Sequence, residues 1–435
     1  VARSIRISSN CRIEEACCLE LKSPAEERRN VNVMTISLVQ NKNSKHFGEY
    51  RIRVQPMVNG SKIHVPVEYA TTKRKAEKLE QKLITKAKAG FNFAGANEFL
   101  TDSFSKWVDH QIELDRWSYT TEQSWRFTEK MVKHYCKGLR IKQCDEDAIR
   151  KFIHDYVNEH HTTVSAHSTA DKLLQQLRTY FLTLEGVTIK KSPVPKKALD
   201  YFFRRDRQSV IKDKYVMTDD ELRAFQKYLK NSIEKLPVQH TVVQLALLVE
   251  SETGMRPQEI QALKFSNIVQ DEGHWVFKIS DSYSEPSKKF NGHLKSRKIG
   301  EWRLTPPITN DLYNMIMIFK DKQKAFVQSK LLNNPKNLIF LSLLDFRLAK
   351  LGNPITQRSM NDALKNICNK IGVQSNGLPL TCYTLRTTTG TRLARLGDYS
   401  YASNRLGNSL AVYMRYYVKP LNRGYGQLMD QYLKL

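Results

Sequence analysis

Residues 382–419 read CYTLRTTTGTRLARLGDYSYASNRLGNSLAVYMRYYVK, and a shorter stretch, 252–265, reads ETGMRPQEIQALKF. Together they offer two arginines in helix-like surroundings, Arg256 and Arg386, and a tyrosine pair near the C-terminus, Tyr416 and Tyr417. Two planar guanidiniums can fork onto the non-bridging oxygens of one phosphate and stabilise the charge that develops as its phosphorus is attacked. A phenol can supply the attacking oxygen and hold the bond energy as a phosphotyrosine ester. These residue types therefore suit phosphodiester exchange in which neither water nor a metal ion provides the nucleophile.

The charge balance agrees with such a substrate. The 435 residues carry 70 Lys and Arg against 44 Asp and Glu, a net charge of +26, which points to a polyanionic partner. Nucleic acid is favoured over a membrane surface, because no basic amphipathic helix with an aromatic apolar face stands out and no apolar run reaches spanning length. Seven cysteines form no C-x-x-C pair and fit structural thiols in a reducing cytoplasm. Five histidines fall between His134 and His167, but without the i, i+4 spacing of a zinc site. No metal site and no cofactor are expected.

Outward from the two arginines, the chain divides by pattern. Residues 1–34 lack a sustained period and read as an extension, with Met34 as an alternative start; no export signal is evident there. Segments 36–39, 49–54 and 62–67 alternate as short strands, and a helix capped by Thr71 or Thr72 follows, carrying Ala76, Leu79, Leu83 and Ala87 to a stop at Gly90. This module is concentrated in positive charge, with 12 Lys and Arg against 4 Asp and Glu over 41–90, so Arg51, Arg53, Lys62 and Lys73 become candidate DNA contacts. Residues 97–190 repeat apolar side chains at helical spacing, among them Leu100, Phe104, Ile149, Phe152, Leu173 and Leu177. Trp107, Trp117 and Trp125 read as core, and Asp145-Glu146-Asp147 as helix-start charge rather than a metal cluster. Residues 191–214, with two prolines and many basic residues, read as a linker without a core of its own; Lys196, Lys197, Arg204 and Arg205 are its candidate phosphate contacts.

From 215 onward a further domain opens on a capping box, Thr218 with Glu221. A very apolar helix around 242–249 leads to Arg256 through a turn that Gly254 permits; Pro257 suits the first position of the next helix, from which Glu259 can buttress Arg256. Strands are expected at 275–279 and 298–304, with a polar hairpin between them, and helices at 309–328 and 357–371. Arg386 is expected to start a helix ended by Gly397. Leu428, Met429, Tyr432, Leu433 and Leu435 form a small amphipathic tail.

At these residues the chain resembles the tyrosine recombinases, specifically the integrases of phages and conjugative elements. The family pattern is Arg, Lys, His-x-x-Arg, His or Trp, then Tyr. The likeness is specific at T-G-M-R-x-x-E (253–259) and at R-L-G-N-S (405–409), covers about 215–420 for the chemistry, and extends in layout back to about residue 35. It implies a multidomain chain: a small α+β (βββα) arm-binding domain at 35–92, an all-α core-binding domain at 97–190, the basic linker, and a mainly α catalytic domain with a small β-sheet at 215–435. By the same resemblance Arg256 and Arg386 clamp the phosphate. Lys295, matched by its distance to RLTP at 303–306, would protonate the leaving 5′-oxygen, with Lys288, Lys289 and Lys298 as contenders. Tyr417, nine residues after Asn408, is preferred to Tyr416 as nucleophile.

Two positions depart from the pattern. Tyr383 stands three residues before Arg386, where the family has histidine, and Asn408 follows Leu406-Gly407, where it has His or Trp. Both can donate hydrogen bonds to phosphate, but neither accepts a proton readily near pH 7. No histidine follows His293, so His293 itself, a neutral lysine or water would have to take that role. The resemblance implies a site-specific recombinase of a mobile element in a bacterial host's cytoplasm. Its partners would be double-stranded DNA with core-type and arm-type sites, three further copies in a homotetramer, and an accessory protein for excision. A catalytically weakened DNA-binding protein is the rival reading, and a type IB topoisomerase a weaker one.

Overall fold

Period-two alternation builds the first layer of the computed structural model, which describes residues 35–58, 61–210, 213–295 and 297–418. Strands β1 (Thr35–Leu38) and β2 (Tyr50–Arg53) pair antiparallel, with Ile36 opposite Ile52. A short pair, β3 (Met57–Val58) with β4 (Ser61–Lys62), follows, and β5 (Glu68–Ala70) completes the three-stranded sheet in the order β1-β2-β5. The third strand was expected at 62–67. Pro66 cannot donate to a ladder, so that run cannot complete the sheet and the pairing begins two residues later. Helix α1 (Lys73–Lys88) is capped by Thr72, whose hydroxyl accepts from Lys75 N, and it buries Ala76, Leu83 and Ala87 against Ile52, Val54 and Val65. Arg51 and Arg53 flank buried Ile52 on the opposite, exposed face of the sheet.

Helices α2 (Phe93–Asn97), α3 (Leu100–Glu113), α4 (Tyr119–Tyr135), α5 (Glu146–His160) and α6 (Thr169–Leu184) follow. Their core holds Leu100, Phe104, Ile149, Phe152, Leu173 and Leu177, the side chains whose spacing marks the helices in the sequence. The three tryptophans pack together, Trp117 stacked on Trp125 at 4.9 Å and Trp107 edge-on to Trp125 at 5.1 Å. Asp145 caps α5 by accepting from Ala148 N at 2.9 Å, so the acidic triplet is helix-start charge.

The segment from residue 191 departs from expectation. Val194, Ala198, Leu199, Phe202 and Phe203 bury themselves in this same core, with 198–202 forming α7 (Ala198–Phe202). A surplus of lysine and arginine masks an apolar spacing that one helical turn gathers on one side. Lys196, Lys197, Arg204 and Arg205 remain exposed, and Arg204 pairs with Asp206 at 3.0 Å.

The chain divides into two units between Val210 and Ile211. The second is built around a largely buried helix. Helix α8 (Asp219–Lys235) starts at the Thr218–Glu221 capping box, and α9 (Val238–Thr253) then packs against α8, α11, α13 and α14. Its all-round apolar character is what a central helix requires. After α10 (Pro257–Gln261) come β6 (Ile268–Asp271) and β7 (His274–Ile279), a short pair β8 (Tyr283–Ser284) with β9 (Lys289–Phe290), and β10 (Arg303–Leu304), giving a sheet ordered β10-β7-β6. The strand expected over 298–304 contracts to two residues, because a turn closed by Glu301 N on Lys298 O at 3.2 Å, with Gly300 at φ +87, breaks the extended run. Helices α11 (Asn310–Ser329), α12 (Phe346–Lys350), α13 (Gln357–Lys370), α14 (Cys382–Ala394), α15 (Tyr399–Leu406) and α16 (Leu410–Tyr416) complete the unit. Arg386 lies in the second turn of α14 rather than at its start. Among the described residues no helix is long and apolar enough to cross a membrane. The extension 1–34 and the apolar tail around 428–435 lie outside the described residues.

Candidate active site

Two turns converge on α14. At the end of α9, Gly254 adopts φ +61, where an L side chain is strained, and a Cβ there would stand 2.8 Å from Leu406 Cδ2. This turn sends Arg256 out as the cap of α10 and offers the Gly254 carbonyl to Arg386 Nη1 at 2.6 Å. At the end of α15 a left-handed Gly407 turns the chain into Asn408, exposing the carbonyls of Leu406 and Gly407. Arg386 Nη2 takes the first at 2.8 Å and Arg256 Nη2 the second at 3.0 Å. Each guanidinium is thus anchored in part on backbone carbonyl oxygens.

Between them sits one side-chain oxygen. Asn408 Oδ1 accepts from Arg256 Nη2 at 2.9 Å and from Arg386 Nη2 at 3.0 Å. Two donors facing one atom fix the carboxamide orientation, and an anionic oxygen would satisfy the same pair. The arginines differ in access: Arg386 is 2% exposed, whereas the Arg256 side chain is 19% exposed and can meet an incoming group.

Tyr417 closes the cluster from just beyond α16. Its hydroxyl oxygen accepts from Arg386 Nε at 3.2 Å. Burial alone would push the phenol's pKa up, but the Arg386 charge, hydrogen bonds from Asn408 and Arg386, and the charge of Lys214 outweigh it and bring the phenol below its ordinary value. Tyr383, half-buried in the first turn of α14, is shifted upward by burial, which Arg256 and Arg386 only partly offset.

Beneath Arg256 lies a buried ion-pair chain. Glu259 Oε1 accepts from Arg256 Nη1 at 2.9 Å, and Glu259 Oε2 from Arg303 Nη2 at 2.6 Å. Burial would raise the Glu259 carboxyl, but Arg303, Arg256 and Arg386 prevail and hold it below the ordinary carboxylate range. Arg303 also donates to the Arg405 carbonyl, tying β10 to the Gly407 turn.

Residues 215–421 match the phage integrase family model. This domain belongs to the phage integrase family. The Tn1549 transposon integrase in complex with transposon right end DNA shares its fold at a TM-score of 0.57 and 15% identity, covering 78% of this chain and 99% of that one. The same integrase in complex with circular intermediate DNA gives a TM-score of 0.54 at 15% identity, covering 76% and 99%. No curated protein matches the chain. The architecture agrees with the one expected: a three-stranded sheet with a helix, a helical middle, and a mainly helical domain with a small sheet.

Within the phage-integrase domain the structure gathers Arg256, Glu259, Tyr383, Arg386, Asn408 and Tyr417. Tyr416, the last residue of α16, is 44% exposed and makes no hydrogen bond to the cluster among the described residues. Lys295 is exposed in the segment between β9 and β10 and hydrogen-bonds to none of the cluster among the described residues; Lys288, Lys289 and Lys298 are exposed as well. His293 bonds the carbonyl of Leu294 at 3.0 Å and makes no hydrogen bond to the cluster.

Several residues of the site escaped sequence reasoning. Arg303 served only as a landmark, although an arginine at an inward strand position is itself a signal of a buried counter-charge. Glu250 interrupts the apolar run of α9 and is fully buried, and neither carboxylate oxygen meets a nitrogen or oxygen donor. Burial raises its pKa well above the ordinary value against the opposing influence of Cys382 and Arg386. Gly390, one helical turn after Arg386, makes room for the Tyr417 ring.

Proposed function

We propose that this protein is a site-specific DNA recombinase that cleaves and rejoins strands through a phosphotyrosine, acting as the integrase of a mobile genetic element. The observation that carries the reading is the contact of Arg386 with both the Tyr417 hydroxyl and the Asn408 oxygen it shares with Arg256. A scissile phosphate exchanging for that shared oxygen would lie between two guanidiniums, beside a phenol already biased toward ionisation.

The chemistry follows from the geometry. The Tyr417 phenol gives its proton to water and its oxygen attacks phosphorus, the bond to the 5′-oxygen breaks, and that oxygen leaves with a proton as a free hydroxyl while the 3′-phosphate stays on tyrosine. Arg256 and Arg386 stabilise the charge on the equatorial oxygens, where one well-placed donor is typically worth about 100- to 1,000-fold in rate. Asn408 and Tyr383 then act as hydrogen-bond donors, not as proton acceptors. Lys295 is assigned to the leaving oxygen through the family resemblance, with its neighbouring lysines as rivals. In the second half a 5′-hydroxyl from a partner duplex attacks the phosphotyrosine and restores Tyr417. The family resemblance supports four copies on paired core-type sites, and the exposed Arg51 and Arg53 support an arm-type DNA contact by the N-terminal sheet.

A nicked suicide duplex carrying the element's own terminus tests the reading. Wild type should accumulate a covalent adduct that Tyr417→Phe does not form. No adduct with wild type, or an adduct surviving in Tyr417→Phe, would sink it. One observation favours a second reading, a DNA-binding protein with weakened catalysis: no imidazole belongs to the described cluster. Placing histidine at both 383 and 408 separates the two, since a gain of cleavage would speak for decay and a loss for a tuned site.

A further inference from the structure

Lys214 stands one residue ahead of the segment that matches the family, yet it reaches the candidate site. Its Nζ lies 5.4 Å from the ring centroid of Tyr383 and 5.9 Å from that of Tyr416, the residue beside Tyr417. Both distances are within the range in which an ammonium is attracted by the face of an aromatic ring. The backbone that carries it is fixed at two points: the Tyr215 hydroxyl donates to Glu221 Oε1 at 2.7 Å, and Met217 N donates to Thr388 Oγ1 of α14 at 3.0 Å. The lysine is therefore laid along α14 by its neighbours, which directs it toward the tyrosines.

We propose that Lys214 is a positioning residue for the Tyr417 nucleophile, spanning the faces of Tyr383 and Tyr416 and providing a positive charge at the position where the family's histidine is replaced by Tyr383. The inference rests on the reading of Tyr417 as nucleophile. An imidazolium at position 383 would have brought positive charge to the reacting centre; a neutral phenol there does not, but its ring face offers a seat for a cation from elsewhere in the chain.

Other described groups also face Tyr417 and its neighbours. Arg386 faces it from α14, Tyr413 from α16 with its ring centroid at 5.2 Å, and Asn408 from the turn after α15. Tyr399 acts on Tyr413, and Arg415 lies over the Tyr416 ring, 5.6 Å from its centroid. Tyr383 itself faces Arg256, Arg386, Glu250 and Glu259. Lys214 is exposed, so its replacement can change charge with little disturbance of packing. Its charge favours the ionised phenol, in the same direction as Arg386.

The test compares Lys214→Met with Lys214→Arg in the full-length protein. The Tyr417 phenol is titrated by NMR of ring-labelled tyrosine, with Tyr417→Phe assigning the resonance. Lys214→Met should move the midpoint upward by about half a unit, leaving roughly threefold less phenolate at a fixed pH below it. Lys214→Arg should titrate as wild type. Cleavage of the nicked duplex should fall by a similar factor in Lys214→Met and recover in Lys214→Arg, with its pH profile displaced in the same direction. An unchanged titration in Lys214→Met, or a Lys214→Arg variant as impaired as Lys214→Met, would overturn the proposal. If wild type forms no adduct at all, the recombinase reading fails, and the NMR titration still decides the role of Lys214.

Discussion

The ring of Tyr417 rests on the backbone of Gly390. A Cβ added at Gly390 would stand 2.4 Å from Tyr417 Cδ1 and 2.8 Å from Cε1, so this one position of α14 must lack a side chain for the phenol to reach Arg386. Arg386 and Gly390 are one helical turn apart on the same face, so the helix presents a cation and a gap side by side. The Tyr413 hydroxyl fastens the same place by donating to the Gly390 carbonyl at 2.6 Å.

Gly390→Ala separates geometry from stability. By helix propensity alone the change would add about 1 kcal/mol of stability. The clash instead forces Tyr417 away, so adduct formation should fall by about 100-fold or more while circular dichroism stays that of a folded protein. Near-wild-type cleavage in Gly390→Ala would show that the tyrosine reacts from another position.

Asn408→Ala removes the oxygen that bridges Arg256 and Arg386 and the hydrogen bond from its amide to Tyr417. Cleavage should drop about 10- to 100-fold with single-site DNA affinity nearly unchanged, as read by gel shift alongside adduct yield. A matching loss of affinity would place Asn408 in binding rather than in the chemical step.

Glu259 and Arg303 have side chains only 2% and 1% exposed. Glu259→Gln leaves Arg303 buried without its counter-charge and should cost about 3–5 kcal/mol in urea unfolding. Combining Glu259→Leu with Arg303→Met should recover most of that stability without restoring cleavage, since Arg256 then lacks its anchor.

Glu250 ties stability to pH. Its folded-state pKa is raised, so the native protein keeps a proton that the unfolded chain releases above about pH 4.5. The stabilising contribution is present below the unfolded pKa and is lost as pH rises toward the folded one, by about 1.4 kcal/mol per pH unit. Denaturant unfolding followed upward from pH 5 should show a loss of stability in wild type that is smaller in Glu250→Gln. Identical slopes would mean that Glu250 is ionised in the fold.

In the N-terminal sheet, Arg51→Ala combined with Arg53→Ala should reduce the salt dependence of arm-site binding by about two phosphate contacts, a slope change near 1.8 in log K against log salt. Ile52, between them, is buried and holds the strand in register, so the fold should persist. A salt dependence equal to that of wild type would remove the exposed face of β2 from the DNA contact.

The sequence by itself determined the chemistry on offer and most of the elements. Local signals sufficed where the cause is local: Thr218 with Glu221 starts α8, Asp145 caps α5, and the apolar period of 97–190 marks its helices. The arginines and Tyr417 were legible because their flanking glycine, proline and turn residues are near them in the chain. Residues 191–214 misled because composition hides spacing, and the strand at 298–304 because one turn at Gly300 ends an extended run.

Only the tertiary structure decided what each charge faces. Arg303 meets Glu259 across 44 residues of chain, Arg386 meets Tyr417 across 31, and Lys214 reaches Tyr383 and Tyr416 from before the capping box. A guanidinium's or phenol's electrostatic state depends on burial and on charges a few ångströms away, and neither is encoded in the residues next to it. The sequence names the groups that can react; the fold sets which of them stand together and in which ionisation state.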